Sequence, residues 1–153
     1  MKMIEGQLDG TNLRFAVIAS RFNDIVTSKL IEGALDILLR QGVKDADISI
    51  IKVPGAFEIP SVALRVLNSG LYDAVMCLGA VIRGDTPHFN YVAAEVSKGI
   101  AQLSLQFKTP VIYGVVTADT MDQALDRAGG KAGNRGADAA RTAIEMACLL
   151  KKL

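Results

Sequence analysis

Along the chain, short hydrophobic runs suited to strands alternate with stripes of helical period. A short edge strand is expected near Ile4, and a first core strand in RFAVIAS (14–20). Residues 24–40 carry Leu30, Ile31, Ala34, Leu35 and Leu38 on one helical face, with Arg40 in the last turn and Gly42 as a stop. DISIIKV (47–53) is a second strand. Pro60 suits the first turn of a helix whose stripe is Ile59, Ala63, Val66 and Leu67 and which ends at Gly70. DAVMCLGAVI (73–82) has the unbroken apolar character of a strand buried on both faces. Thr86 and Pro87 read as N-cap and first residue of a helix that turns Phe89, Val92, Ala93, Val96, Ile100 and Leu103 inward. PVIYGVVT (110–117) is a fourth core strand. A short helix near 120–128 leads into AGGKAGNRG, and a last helix, about 136–151, bears the stripe Ala140, Ala143, Ile144, Ala147 and Leu150.

Strands alternating with helices imply βαβ units, parallel pairing and right-handed crossovers. The expected architecture is one domain, 1–153, folded as a three-layer αβα sandwich around a central four-stranded parallel sheet, flavodoxin-like in size. Half of the chain is hydrophobic, and with its 14 glycines the apolar share exceeds the usual ~45–50%. A sheet buried on both faces absorbs part of that excess; subunit interfaces are the other outlet, and the excess favours them. Net charge is +1 with both signs dispersed, which gives no footprint for nucleic acid or an anionic membrane. No run approaches the ~20 apolar residues of a membrane span. The start, MKMIEGQLDG, lacks an apolar signal-peptide core. Cys77 and Cys148 sit in apolar runs and read as core side chains, which suits a reducing, cytoplasmic location. The single histidine cannot complete a zinc site with them.

In such sheets ligands bind beyond the carboxyl ends of the strands. Those ends read SRFND (20–24), VPGAFE (53–58), AVIRGDTPHF (80–89) and TADT (117–120), and polar, glycine and aromatic residues collect at the first three. Gly84, Asp85 and Thr86 precede a helix start, where unpaired N–H groups and the dipole suit a phosphate; plain capping by Thr86 explains them as well. His88, the only histidine, stands at the same helix start, and an imidazole is the side chain suited to moving protons near neutral pH. A histidine in that place is also commonly a mere surface residue. Phe22 is either a satellite of the core or a platform for a planar ring. Gly55 and Ala56 allow close approach to the backbone before Phe57 and Glu58, or form a routine turn. Arg127 and Arg135 flank the glycine-rich loop and offer planar donor forks for a phosphate, although isolated surface arginines are commoner.

Taken together, SRFN (20–23), VPGAFEIP (53–60), LGAVIRGDTPHF (78–89), YVAAEVSKGIAQLS, YGVVTADT (113–120), QALDRAG (123–129) and KAGNRG (131–136) resemble the lumazine synthase family, in order and over essentially the whole chain. The resemblance implies condensation of 5-amino-6-(ribitylamino)uracil with 3,4-dihydroxy-2-butanone 4-phosphate, without metal or organic cofactor. It implies that Phe22 stacks on the pyrimidine, that Ala56, Phe57 and Glu58 line the pyrimidine and ribityl region, and that Ala80, Val81 and Ile82 contact the same substrate. It places the phosphate on Asp85 and Thr86, gives proton transfer to His88, and brings Tyr113 and Arg127 from a neighbouring subunit. Tyr113 stands where the family more often has Phe, and Arg135 where Lys is usual.

The resemblance also implies pentamers, which in many members close into a sixty-subunit icosahedral shell able to enclose riboflavin synthase. The short glycine-rich loop 128–138 is the form that permits the bend between pentamers. Two other classes compete: a flavodoxin-like binding module, for which ASRFND offers little of a hydroxyl-rich phosphate loop, and a shell protein that assembles without catalysis.

Overall fold

The computed structural model describes residues 1–153 throughout. Four strands form one parallel sheet: β1 (Phe15–Ser20), β2 (Ile48–Val53), β3 (Ala74–Ile82) and β4 (Val111–Ala118), in the order β2-β1-β3-β4. β1 is buried along its whole length and β3 along all but its last residue, as expected for central strands covered on both faces. The edge strands differ. β2 leaves Ile50 and Lys52 exposed, and β4 leaves Tyr113 and Thr117 exposed.

Side chains of alternate parity enter two separate cores. Phe15, Val17, Met76 and Leu78 pack under helices α1 (Asp24–Arg40) and α5 (Arg135–Leu150), while Ala16, Ile18, Val75 and Cys77 pack under α2 (Ile59–Ser69) and α3 (His88–Gln106). The three layers are therefore those the sequence implies. At Gly136, on α5, a Cβ would collide with the Leu30 carbonyl of α1, so the two helices approach at a position only glycine fits. α4 (Met121–Asp126) is short and capped by Thr120, whose hydroxyl accepts from the Gln123 N–H at 3.2 Å.

Several expectations change. No strand forms near Ile4. The arm instead runs past α5 and the end of α1: Gly10 N–H donates to Gln41 O at 2.8 Å, and Lys152 Nζ donates to Glu5 O at 2.9 Å. It therefore has no sheet edge to pair with, and Met1, Met3, Ile4 and Leu8 are exposed. Thr86 does not cap α3. The helix starts at His88, and Pro87, with ψ near 4°, holds the cap position without a side-chain bond. Inside AGGKAGNRG the chain forms a small antiparallel hairpin, β5 (Ala128–Gly130) and β6 (Gly133–Asn134). The Asn134 side chain then caps α5, accepting from Gly136 and Ala137 N–H, and donates to Lys29 O at 3.0 Å. Cys148 is only half-buried: it packs at the margin of the core under α1 and α5 and donates to Asp9 O of the N-terminal arm at 3.4 Å. Leu150 is exposed because the last turn of α5 runs past the core.

No helix is long and apolar enough to cross a membrane.

Candidate functional site

The β1–β2 ladder continues beyond both strands: Arg21 N–H donates to Val53 O at 2.8 Å and Phe22 N–H to Pro54 O at 3.0 Å. Asn23 then turns in the left-handed region (φ 61°, ψ 45°), a conformation Asn tolerates better than most residues. Its amide donates to Ala80 O at 3.0 Å, tying this turn to β3. Phe22 is held from both sides, yet its residue is 72% exposed. It is not a satellite of the core. Phe57 likewise is 59% exposed on the neighbouring turn. A fixed aromatic left in solvent suits a planar ligand.

Beside Phe22 lies a cleft of about 260 Å³ walled by Ala56, Val81, Ile82, Gly84, Thr86 and His88, with Phe89 at its side. A second cleft of about 420 Å³ adjoins it and shares Phe22, Ala56 and His88, adding Phe57, Glu58, Tyr91 and Glu95. Glu58 is oriented by its own turn, since its Oε2 accepts from Gly55 N–H at 2.9 Å and leaves the other oxygen for a ligand. Buried Val81 and half-buried Ile82 line the first cleft, whereas buried Ala80 lines neither, and its carbonyl accepts from the Asn23 amide. Asp85, Thr86 and His88 are exposed on the segment entering α3. α3 runs 19 residues, and its first N–H groups have no helical partner.

Tyr113 and Arg127 do not join this group. They border a separate recess of about 210 Å³ with Thr117 and Arg135, and no lining residue is common to it and the two clefts above. Tyr113 is fixed by a contact of 3.0 Å between its hydroxyl and Ser97 Oγ; Ser97 donates its own proton to Ala93 O, so the tyrosine is the donor. The departure from Phe thus meets its partner within the chain. Arg127 ends α4 and donates from Nη1 to Gln123 O at 2.9 Å. Arg135 pairs with Asp138 at 3.1 Å.

The largest concavity, about 910 Å³, runs beside the unpaired edge of β4 between α3 and α5 and includes Phe107, Val111, Ile112 and Met146. Its Arg135 and Asp138 already neutralise each other, and it lies away from the strand carboxyl ends, so it carries less chemistry than the two clefts at Phe22 and His88.

Sequence reasoning missed Asn23, Tyr91 and the pair Arg83–Asp119 (2.8 Å). A polar residue directly after a strand signalled the first. The pair gave no signal, because its members lie 36 positions apart.

The three strand ends converge as the motifs require, and the family model described as 6,7-dimethyl-8-ribityllumazine synthase matches residues 12–151 of the 153. The chain belongs to the lumazine synthase family of riboflavin biosynthesis.

Proposed function

We propose that this chain is a transferase that condenses 5-amino-6-(D-ribitylamino)uracil with 3,4-dihydroxy-2-butanone 4-phosphate, giving 6,7-dimethyl-8-ribityllumazine, inorganic phosphate and water. The observation that carries the proposal is the pair of exposed aromatics, Phe22 and Phe57, sharing one cleft with His88. Phe22 stacks on the pyrimidine; Ala56, Phe57 and Glu58 line its ribityl side; Ala80, Val81 and Ile82 present backbone to it. Asp85 and Thr86 flank the phosphate at the approach to α3. His88 moves protons as the amine attacks the ketone, water leaves to form the imine, phosphate is eliminated, and ring closure releases a second water. Amines attack ketones unaided, so holding both substrates together is the larger lever, and general acid–base help adds about 10²–10⁴-fold.

In this proposal the site is completed by a neighbouring subunit, which supplies Tyr113 and Arg127. Support comes from their separation from the His88 cleft within one chain and from the apolar groove along the open β4 edge. The assembly is a pentamer, closing into a sixty-subunit shell with room for riboflavin synthase, in the cytoplasm. The deciding experiment mixes the two substrates with purified protein and follows lumazine and phosphate together. Equal molar release of both supports the enzyme. Assembly without turnover indicates an inactive shell protein, and flavin binding without turnover a flavodoxin-like module.

A further inference from the structure

The chain leaves the sheet at Ile82 and re-enters regular structure only at His88. Arg83 opens that span and makes three contacts. Its N–H donates to Ala118 O at 2.9 Å, extending the β3–β4 ladder by one step. Its Nε donates to Asp119 Oδ1 at 2.8 Å. Its guanidinium carbon stands 4.5 Å from the centroid of the Phe89 ring, in the first turn of α3. A planar guanidinium makes the last two contacts at once, since its edge carries the donors and its face stacks. Asp119 is itself anchored, its N–H donating to Gln123 Oε1 at 3.0 Å. Both ends of the span 84–87 are thereby fastened to one side chain.

We propose that Arg83 is a positioning residue whose guanidinium, bridging Asp119 and Phe89, fixes the span 84–87 that receives the ketone's phosphate and sets the direction from which His88 enters the cleft. The proposal rests on the lumazine-forming function given above. Arg83 in this role does not bind the phosphate itself, because its charge is committed to Asp119.

The test compares Arg83→Gln, Asp119→Asn and Arg83→Lys with Arg40→Gln, which breaks an exposed 2.8 Å pair with Asp36 far from the site. For Arg83→Gln and Asp119→Asn, KM for the phosphorylated ketone should rise roughly three- to tenfold, with KM for the pyrimidine within about twofold of wild type. Arg83→Lys should recover part of the loss, since it keeps the charge pair and loses the stack. The double variant should be no worse than Arg83→Gln, as both changes open one clamp. Arg40→Gln should do nothing. Hydrogen–deuterium exchange of peptides covering 83–88 should quicken in both clamp variants and not elsewhere. Should Arg83→Gln fail to fold, Asp119→Asn carries the same expectation. Unchanged ketone KM and unchanged exchange in the folded variants overturn the clamp. So does a lower ketone KM in Asp119→Asn, which would make the freed Arg83 a direct phosphate ligand. Absence of turnover in the wild type refutes the enzymatic function instead, and the exchange comparison then decides the clamp alone.

Discussion

The Asn23 amide reaches across the sheet end to the Ala80 carbonyl at 3.0 Å, so the turn presenting Phe22 is fastened to the central strand beside it. Two separate costs attend its loss. Asn23→Ala removes a half-buried hydrogen bond, worth about 1 kcal/mol, and puts a Cβ residue with no polar side chain at φ 61°, worth about 1–2 kcal/mol more. Asn23→Gly loses only the bond. Urea unfolding should therefore rank wild type above Gly above Ala; equal stability of all three would mean that the contact does not hold the turn.

His88→Ala should keep its substrates and lose turnover. A drop on the order of tenfold to a thousandfold is expected, because proximity catalysis survives without the proton-transfer group. Steady-state kinetics on correctly assembled protein decides. Unchanged turnover removes His88 from the mechanism.

Arg127 should act on a neighbour's phosphate. Phe22→Ala and Arg127→Ala disable opposite halves of a shared site, so co-refolded mixtures should regain activity that neither parent has. In random mixtures some sites draw an intact half from each parent. Demonstrated mixed assembly with no recovered activity would place both residues in one subunit's site.

The short hairpin Ala128–Asn134, with Gly129 and Gly133 at φ 108° and 79°, keeps the turn before α5 compact. The family resemblance implies a hollow sixty-subunit shell, and the apolar groove beside β4 and the exposed Met3, Ile4 and Leu8 offer surface for subunit contacts. Negative-stain images and light-scattering mass should show it at neutral pH. Particles no larger than a pentamer across buffers and concentrations would exclude the shell and leave the enzyme proposal standing.

Burial pushes the Cys77 thiol from its usual 9.0 up to about 12. The unfolded chain ionises first. The stability this thiol contributes is thus complete below pH 9.0 and is lost as pH climbs from 9.0 towards 12, at up to about 1.4 kcal/mol per pH unit. Relative to Cys77→Ala, wild type should lose its advantage in that window. At neutral pH a thiol reagent should reach at most Cys148 until the protein unfolds. Rapid native labelling of Cys77 would contradict its burial.

The sequence by itself determined the layers. Apolar period is a local property that follows from which faces must leave water, so β1 to β4 and α1, α2, α3 and α5 fall within about a residue or two of where the pattern puts them. It also determined which turns hold unusual residues, since SRFN, VPGAFE and RGDTPHF stand directly after strands. It left Phe22 between core and solvent, because an aromatic at a strand end satisfies either pattern. Only tertiary structure put it in solvent, through ladder bonds to Pro54 and the Asn23–Ala80 tie, both of which join residues remote in sequence. The same holds for the unpaired N-terminal arm, the later start of α3, and the bridge from Arg83 to Asp119 and Phe89. Strand order decided which loops meet: β2-β1-β3 sets three carboxyl ends side by side, while Tyr113, half-exposed on the edge strand β4, bonds to Ser97 of α3 away from them. Periodicity reports burial one residue at a time; adjacency arises from pairing across the sheet, where the interacting groups lie tens of residues apart and leave no mark on either segment alone.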